Sequence, residues 1–266
     1  MSAVETSLKE NEHVKGLLKI LSENDLKADA QGLTEVVNLF TAMERDLNKT
    51  VSEINTMRLE LSALREESGH PIKTMLQNAA DGLAEKLKSI QKCLVSLKDK
   101  IIGACKRAVE AFKDGGIAAL NGAMTFFDVK HELEDTRQKI NNAIDYNNKK
   151  IAKIEAASAE MHSAGRSIKN IGRVIQGKEP IPDIKPNGKL AYFIETPFRM
   201  ENKRFNRSLG NVNKFLVRID KLEKAAAQRA ERDRPSTLEA IRETKAQVAE
   251  QKRETPVKTK VVGAEI

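Results

Sequence analysis

The sequence has 266 residues, 32% of them charged and 4% aromatic, with no Trp and a net charge of +8 from 46 basic and 38 acidic residues. Few aromatics among abundant Ala, Leu, Glu, Lys and Arg is the composition of long helices, not of a compact mixed globule. No stretch offers about 18 unbroken apolar residues, so no membrane span is expected, and the opening "MSAVETSLKENEHVKG" lacks the basic-then-apolar pattern of a signal peptide.

Residues 2–23 read as a short amphipathic helix, with Ser7 and Glu10 at capping-box spacing and Leu17, Leu18 and Leu21 on its apolar face. "SENDLKADAQG" ends it, so residues 1–29 form a short helix and a linker. Leu33, Val36, Phe40, Met43, Leu47, Thr50, Ile54, Met57, Leu61 and Leu64 then alternate steps of three and four. That spacing is a coiled-coil seam on a helix of about 31–67. Gly69 and Pro71 in "ESGHP" mark a tight helix–helix turn.

A second seam runs through Ile72, Leu76, Ala79, Leu83, Leu87, Ile90, Leu94, Leu97, Ile101, Ala104 and Ala108 on a helix of about 71–113, which "DGG" at 114–116 ends. A short turn between two such seams favours antiparallel packing. Cys93 and Cys105 share this helix about 18 Å apart, too far for a disulfide. Reduced thiols and a cytoplasmic setting are therefore expected.

A third helix is expected over 117–176, kinked near Gly122, with a seam from Leu133 through Ile140, Ile144, Asn147, Ile151, Ile154, Ser158, Met161, Gly165, Ile168 and Gly172 to Ile175. Asn147 in a seam either fixes register and partner number or marks a partly solvated stretch. Ser158, Gly165 and Gly172 share one face, and interior glycines are costly in a helix. A closely packed neighbouring helix is the simplest compensation, a hinge the other. Residues 177–196 read as a connector held extended by Pro180, Pro182 and Pro186, with "KLAYFIE" as loop. Thr196 then caps a helix of about 197–232 whose first turn holds Pro197. Its seam is Phe205, Leu209, Val212, Leu216 and Ile219.

The expected fold is all-α: an elongated antiparallel coiled coil or bundle over 30–232, preceded by a short helix and followed by a flexible tail, 233–266, with a short amphipathic helix at about 236–252. The sequence offers little catalytic chemistry. His13, His70, His131 and His162 stand apart, and "HELED" at 131–135 has Asp135 where the second His of a metal helix would stand. The seams carry no Glu for a di-metal bundle site, and no glycine-rich phosphate loop follows a strand. No cofactor, metal or enzymatic reaction is expected, and both cysteines are read as packing residues.

Two surfaces suggest partners. Lys203, Arg204, Arg207, Lys214, Arg218 and Lys221 crowd the last long helix, with Glu201 the only acid before Asp220. A basic stripe of this kind can follow a phosphate backbone; the alternatives are a solvated face or ion pairs to acids on another helix. In the tail, Pro235 ends the preceding helix, and Ser236 with Glu239 makes a capping box. Leu238, Ile241 and Val248 then form a narrow apolar stripe, with Lys245 laying its stem along it. A helix this short is marginal alone, so it is completed either by folding back on the bundle or by docking on a protein partner.

The stretch "HPIKTMLQNAADGLAEKLKSIQKCLVSLKDKIIGACKRAVEAFKDGGIAALNGAMTFFDVKHELE", with "RSIKNIGRVIQGKE" and "RMENKRFNRSLGNVNKFLVRIDKLEKAA", resembles an uncharacterised family of Gram-positive bacterial proteins, often encoded on conjugative or other mobile elements. The resemblance covers roughly residues 10–225 and brings no functional residues with it. It implies a role accessory to a mobile element. Together these features point to a non-enzymatic helical interaction or scaffold protein, able to self-associate through its seams, that docks a partner through Pro235, Ser236, Leu238, Ile241 and Val248. Nucleic-acid association through residues 199–221 is the alternative.

Overall fold

The computed structural model describes residues 7–63, 71–182 and 189–232, and Lys245 in the tail. Among them every regular element is helical: a 3-10 turn at Leu8–Glu10, then α1 (Glu12–Glu23), α2 (Lys27–Ala63), α3 (Pro71–Ala123), α4 (Phe127–Ile175) and α5 (Lys189–Arg232). The chain is an all-α bundle with a short N-terminal helix, and its long helices run antiparallel. Arg204 and Arg218 of α5 pair with Glu53 and Glu35 of α2. Ser96 and Asn78 of α3 face Glu132 and Tyr146 of α4. Lys130 and Glu155 of α4 meet Asp220 and Arg199 of α5.

The seams account for the core. Leu33, Val36, Phe40, Met43, Leu47, Ile54 and Leu61 of α2 are buried, as are Ala79, Leu83, Leu87, Ile90, Leu94, Leu97 and Ile101 of α3. Thr50, the polar position in the α2 seam, donates its hydroxyl proton to the Asp46 carbonyl at 3.0 Å, so its burial leaves no unmade bond. Cys105 packs within the same core, and burial alone pushes its thiol up to about 12.

Several boundaries differ from the sequence expectation. The Ser7–Glu10 capping box does not form: Ser7 makes no side-chain cap bond and precedes only a single 3-10 turn. Asn11 caps α1 instead, its side-chain oxygen accepting from the N–H groups of His13 (3.0 Å) and Val14 (3.4 Å). The α-helix begins where the Val14–Leu17–Leu21 stripe begins, and the 3-10 turn buries Leu8 separately. The linker expected before residue 31 shrinks to a turn at Asn24–Leu26, because Asp25 takes a left-handed conformation (φ 57) that Asp tolerates better than most residues.

The "DGG" break is present, with Gly115 (φ −147, ψ 18) and Gly116 (φ 64, ψ −149) leaving helical geometry. The helix expected over 117–176 is not one kinked rod. A short helical run reaches Ala123, the chain turns through Met124–Phe126, and α4 starts afresh at Phe127. Burial of Met124 and Phe126 fixes this turn. Glu223 of α5 accepts the Phe126 N–H at 2.6 Å and also binds Lys130, replacing the local cap that α4 lacks.

The larger correction concerns α5. It starts at Lys189, so "KLAYFIE" is helical rather than loop, and Pro197 lies inside the helix rather than in its first turn. A proline there removes one hydrogen bond and crowds the preceding turn, at a cost of about 3 kcal/mol. The turns that follow offset this cost, because Phe198 is buried and Arg199 and Arg204 pair with α4 and α2. Residues 183–188 lie outside the described part of the connector.

α4 ends in a Schellman motif. Gly177 takes φ 66, its N–H donates to the Val174 carbonyl, and the Lys178 N–H donates to that of Arg173, each at 2.9 Å. Residues 178–181 then turn back along α4, where Asn170 exchanges two bonds with the Ile181 backbone. α4 outruns its neighbours. With Asn78 level with Tyr146 and Arg199 level with Glu155, α3 begins level with about residue 153 of α4 and α5 level with about residue 165.

Candidate functional site

Three arrangements stand out: a buried charge cluster between α2 and α5, a polar tie between α3 and α4, and an apolar strip at the end of α4.

The cluster centres on Arg204. Its Nη2 donates to Glu53 Oε1 at 2.7 Å and its Nη1 to Glu201 Oε1 at 2.7 Å, with a further bond from Nη1 to Glu53. Glu201 is 1% exposed. Burial pushes its carboxyl up to about 7, against the pull of the Thr50 hydroxyl and the Arg204 charge. Glu53, at the rim, is held below the ordinary range by its hydrogen bonds from Arg204. The Arg204 guanidinium is raised by its bonds to Glu53. Beside the cluster lies a small cavity lined by Asp46, Thr50, Thr136, Arg204 and Ser208 together with Met43, Ile140 and Phe205. One carboxyl that titrates near neutrality and one that stays charged are brought together, the first buried among the helices and the second at the rim. Their physical consequence is register and a pH-dependent stability of the α2–α5 contact.

Asn147 does the same for α4 and α5. It is fully buried, donating to the Phe198 carbonyl (2.6 Å) and to Asn202 Oδ1 (2.9 Å). Its partners lie within the same chain, so the register it fixes is internal.

The second arrangement joins Cys93 of α3 to α4. Lys139 Nζ stands 2.8 Å from Cys93 Sγ and 2.6 Å from Asp135 Oδ2, while the Ser96 hydroxyl donates to Glu132 Oε2 at 2.7 Å. Cys93, Glu132 and Asp135 offer ligand atoms within 4.8 Å of one another. The Lys139 ammonium already supplies a cation among them. Burial raises the Cys93 thiol, so it stays protonated, while Lys139's hydrogen bond holds Asp135 low. A protonated, buried thiol is a poor nucleophile and a poor metal ligand. Sequence reading missed this group because Cys93 and Asp135 are 42 positions apart.

Lys203, Arg207, Lys214 and Lys221 share one exposed face of α5, while Arg204 turns inward. Arg204 and Arg218 pair with Glu53 and Glu35, and Arg207 lies 3.7 Å from Asp46. Lys203, Lys214 and Lys221 are exposed. Arg204 and Arg218 thus take the ion-pair role weighed above. Pro235, Ser236, Leu238, Ile241 and Val248 lie outside the described residues, whereas Lys245 is helical and exposed.

The third arrangement was not anticipated. Ile168 and Ile175 follow buried Ile154 by two and three heptads, yet they are 71% and 80% exposed, with Ile171 at 61% and Val174 at 59%. The close packing expected over Gly165 and Gly172 is absent: a Cβ at either would meet nothing within 4 Å. The seam continues, but the helices that covered it have ended. Such a run of large aliphatic side chains in water contrasts with the mostly buried seams elsewhere in the bundle.

No curated protein and no solved structure matches the chain. The model of one family, described as a family of unknown function (DUF6674), matches residues 10–262 and so takes in the bundle, the bare end of α4 and most of the tail. The chain belongs to that family of unknown function.

Proposed function

We propose that this protein is a non-enzymatic helical interaction protein, a bundle of α2–α5 that binds a protein partner at its two poles. The observation that carries this reading is the bare Ile168–Ile171–Ile175 strip, an apolar seam that leaves the bundle uncovered. The tail motif of Pro235, Ser236, Leu238, Ile241 and Val248 is its second docking element, and the family match extends through it. Arg204 and Arg218 pair with acids of α2, and the exposed Lys203, Arg207, Lys214 and Lys221 keep nucleic-acid association through residues 199–221 as the second reading. No helix among the described residues is long and apolar enough to cross a membrane. We place the protein in the cytoplasm, with a role accessory to conjugative or other mobile elements of Gram-positive bacteria. That setting rests on the sequence resemblance and on the two reduced cysteines.

Cross-linking in the native cell tests the reading. Protein cross-links from Lys169 beside the strip are expected with the unaltered chain and are expected to vanish with an Ile168→Glu/Ile175→Glu variant. An unchanged cross-link pattern would show that the strip is not a binding surface.

A further inference from the structure

The α4 strip and the tail stripe pose one question together, and the inference rests on the interaction reading above. We propose that the strip is covered by the tail of a second copy of this chain. The two copies lie antiparallel, and each tail helix docks on the other's α4.

Reach excludes the tail of the same copy. Arg229 at the end of α5 pairs with Asp29 at one pole of the bundle, while Arg199 pairs with Glu155 toward the other. From Arg229 to Arg199 along α5 and on from Glu155 to Ile171 along α4 is about 70 Å at 1.5 Å per residue. Five residues lie between Arg232 and Leu238, and the six steps fully extended span only about 20 Å. The tail stripe therefore leaves the body at the pole opposite the strip.

The two surfaces match in spacing, and their charges do not oppose pairing. Ile168, Ile171 and Ile175 repeat the three-four step of Leu238, Ile241 and Lys245, whose stem can lie on an apolar surface. Residues 163–178 hold four basic side chains and no acidic one, whereas residues 236–252 hold three acidic and three basic. Pairing two α4 ends with each other would bring eight cations to within about a Debye length of 8–10 Å. The tail helix is net neutral and brings no such repulsion. Because strip and stripe sit at opposite poles, an antiparallel pair makes two identical contacts and closes, where a parallel stagger would grow into a filament.

The test is sedimentation of the full chain together with lysine cross-linking of a mixture of ¹⁴N- and ¹⁵N-labelled protein. Expected are a dimer and mixed-isotope links between Lys169 and Lys245, both exposed. Ile168→Glu/Ile175→Glu and Leu238→Glu/Ile241→Glu should each weaken association by about 100-fold or more, the effect of removing two aliphatic contacts, with unchanged circular dichroism. A monomer at about 100 μM, well above any useful micromolar affinity, would overturn the proposal. So would a dimer that survives both variants, or Lys169–Lys245 links confined to one isotope. A monomer whose strip still cross-links another protein in the cell would leave the interaction reading standing and remove only the self-pairing.

Discussion

Replacing Arg204 with Met is expected to destabilise the protein by about 3 kcal/mol at pH 8, in the range found when one partner of a buried ion pair is removed. Met keeps most of the stem volume, so the loss reports charge rather than a cavity. Arg204 stands between a rim carboxylate, Glu53, and a buried one, Glu201. Without it, two acids of like charge face each other beside Asp46, one of them 1% exposed. The buried carboxylate escapes by taking up a proton. The deficit should therefore shrink at pH 5.5, and Glu201→Gln should restore part of it at pH 8. Urea unfolding of the four chains of this double-mutant cycle measures both effects. Equal losses at the two pH values would show that the charge of Glu201 plays no part in the effect.

The second large effect is a fall in stability between pH 5 and pH 8 caused by Glu201. Its folded pKa, about 7, lies above the ordinary 4.5, so through this window the folded chain holds a proton that the unfolded chain has released. Stability from this group is complete below the unfolded value and is lost as pH rises through the folded one. A displacement of that size corresponds to at most about 3 kcal/mol, or a melting-temperature drop on the order of 5 °C for a chain of this length. Glu53 acts in the opposite sense: its lowered pKa gives stability that disappears only in acid, below the window in question. Glu201→Gln keeps an oxygen for Arg204 and cannot titrate, so its melting temperature should be nearly flat from pH 5 to pH 8. A variant that falls as steeply as the parent would assign the pH dependence to another group.

Much of the fold was written in the three-four spacing of apolar residues. That spacing identified the α2 and α3 seams and the internal seam of α4 because burial in a bundle follows a heptad directly. Boundaries were less legible. Asn11 rather than Ser7 caps α1 because the apolar stripe, not the capping pair, decides where the helix packs. Pro197 looked like a first-turn residue, yet contacts made by Phe198, Arg199 and Arg204 hold the helix on both sides of it. The sharpest miss concerns the site. Periodicity shows which face of α4 is apolar, but whether a neighbour reaches that face depends on where α3 and α5 end, which is a tertiary matter of register. Ile168 and Ile175 read as core for that reason. The charge cluster did leave a trace: Glu201 is a lone acid in a basic run, the place where a buried pairing partner would stand out.

A tail docked on the bare end of α4, as proposed, would shield that end from solvent exchange. Backbone hydrogen exchange over residues 163–176 tests that proposal most directly, in the full chain and in the Leu238→Glu/Ile241→Glu variant. An uncovered helix end opens locally and exchanges fast, whereas a docked one is protected. Exchange in the parent chain should be slower by about tenfold or more, the effect of at least 1.4 kcal/mol of docking energy, and should speed up on dilution. Equal exchange in both chains at every concentration would contradict the claim.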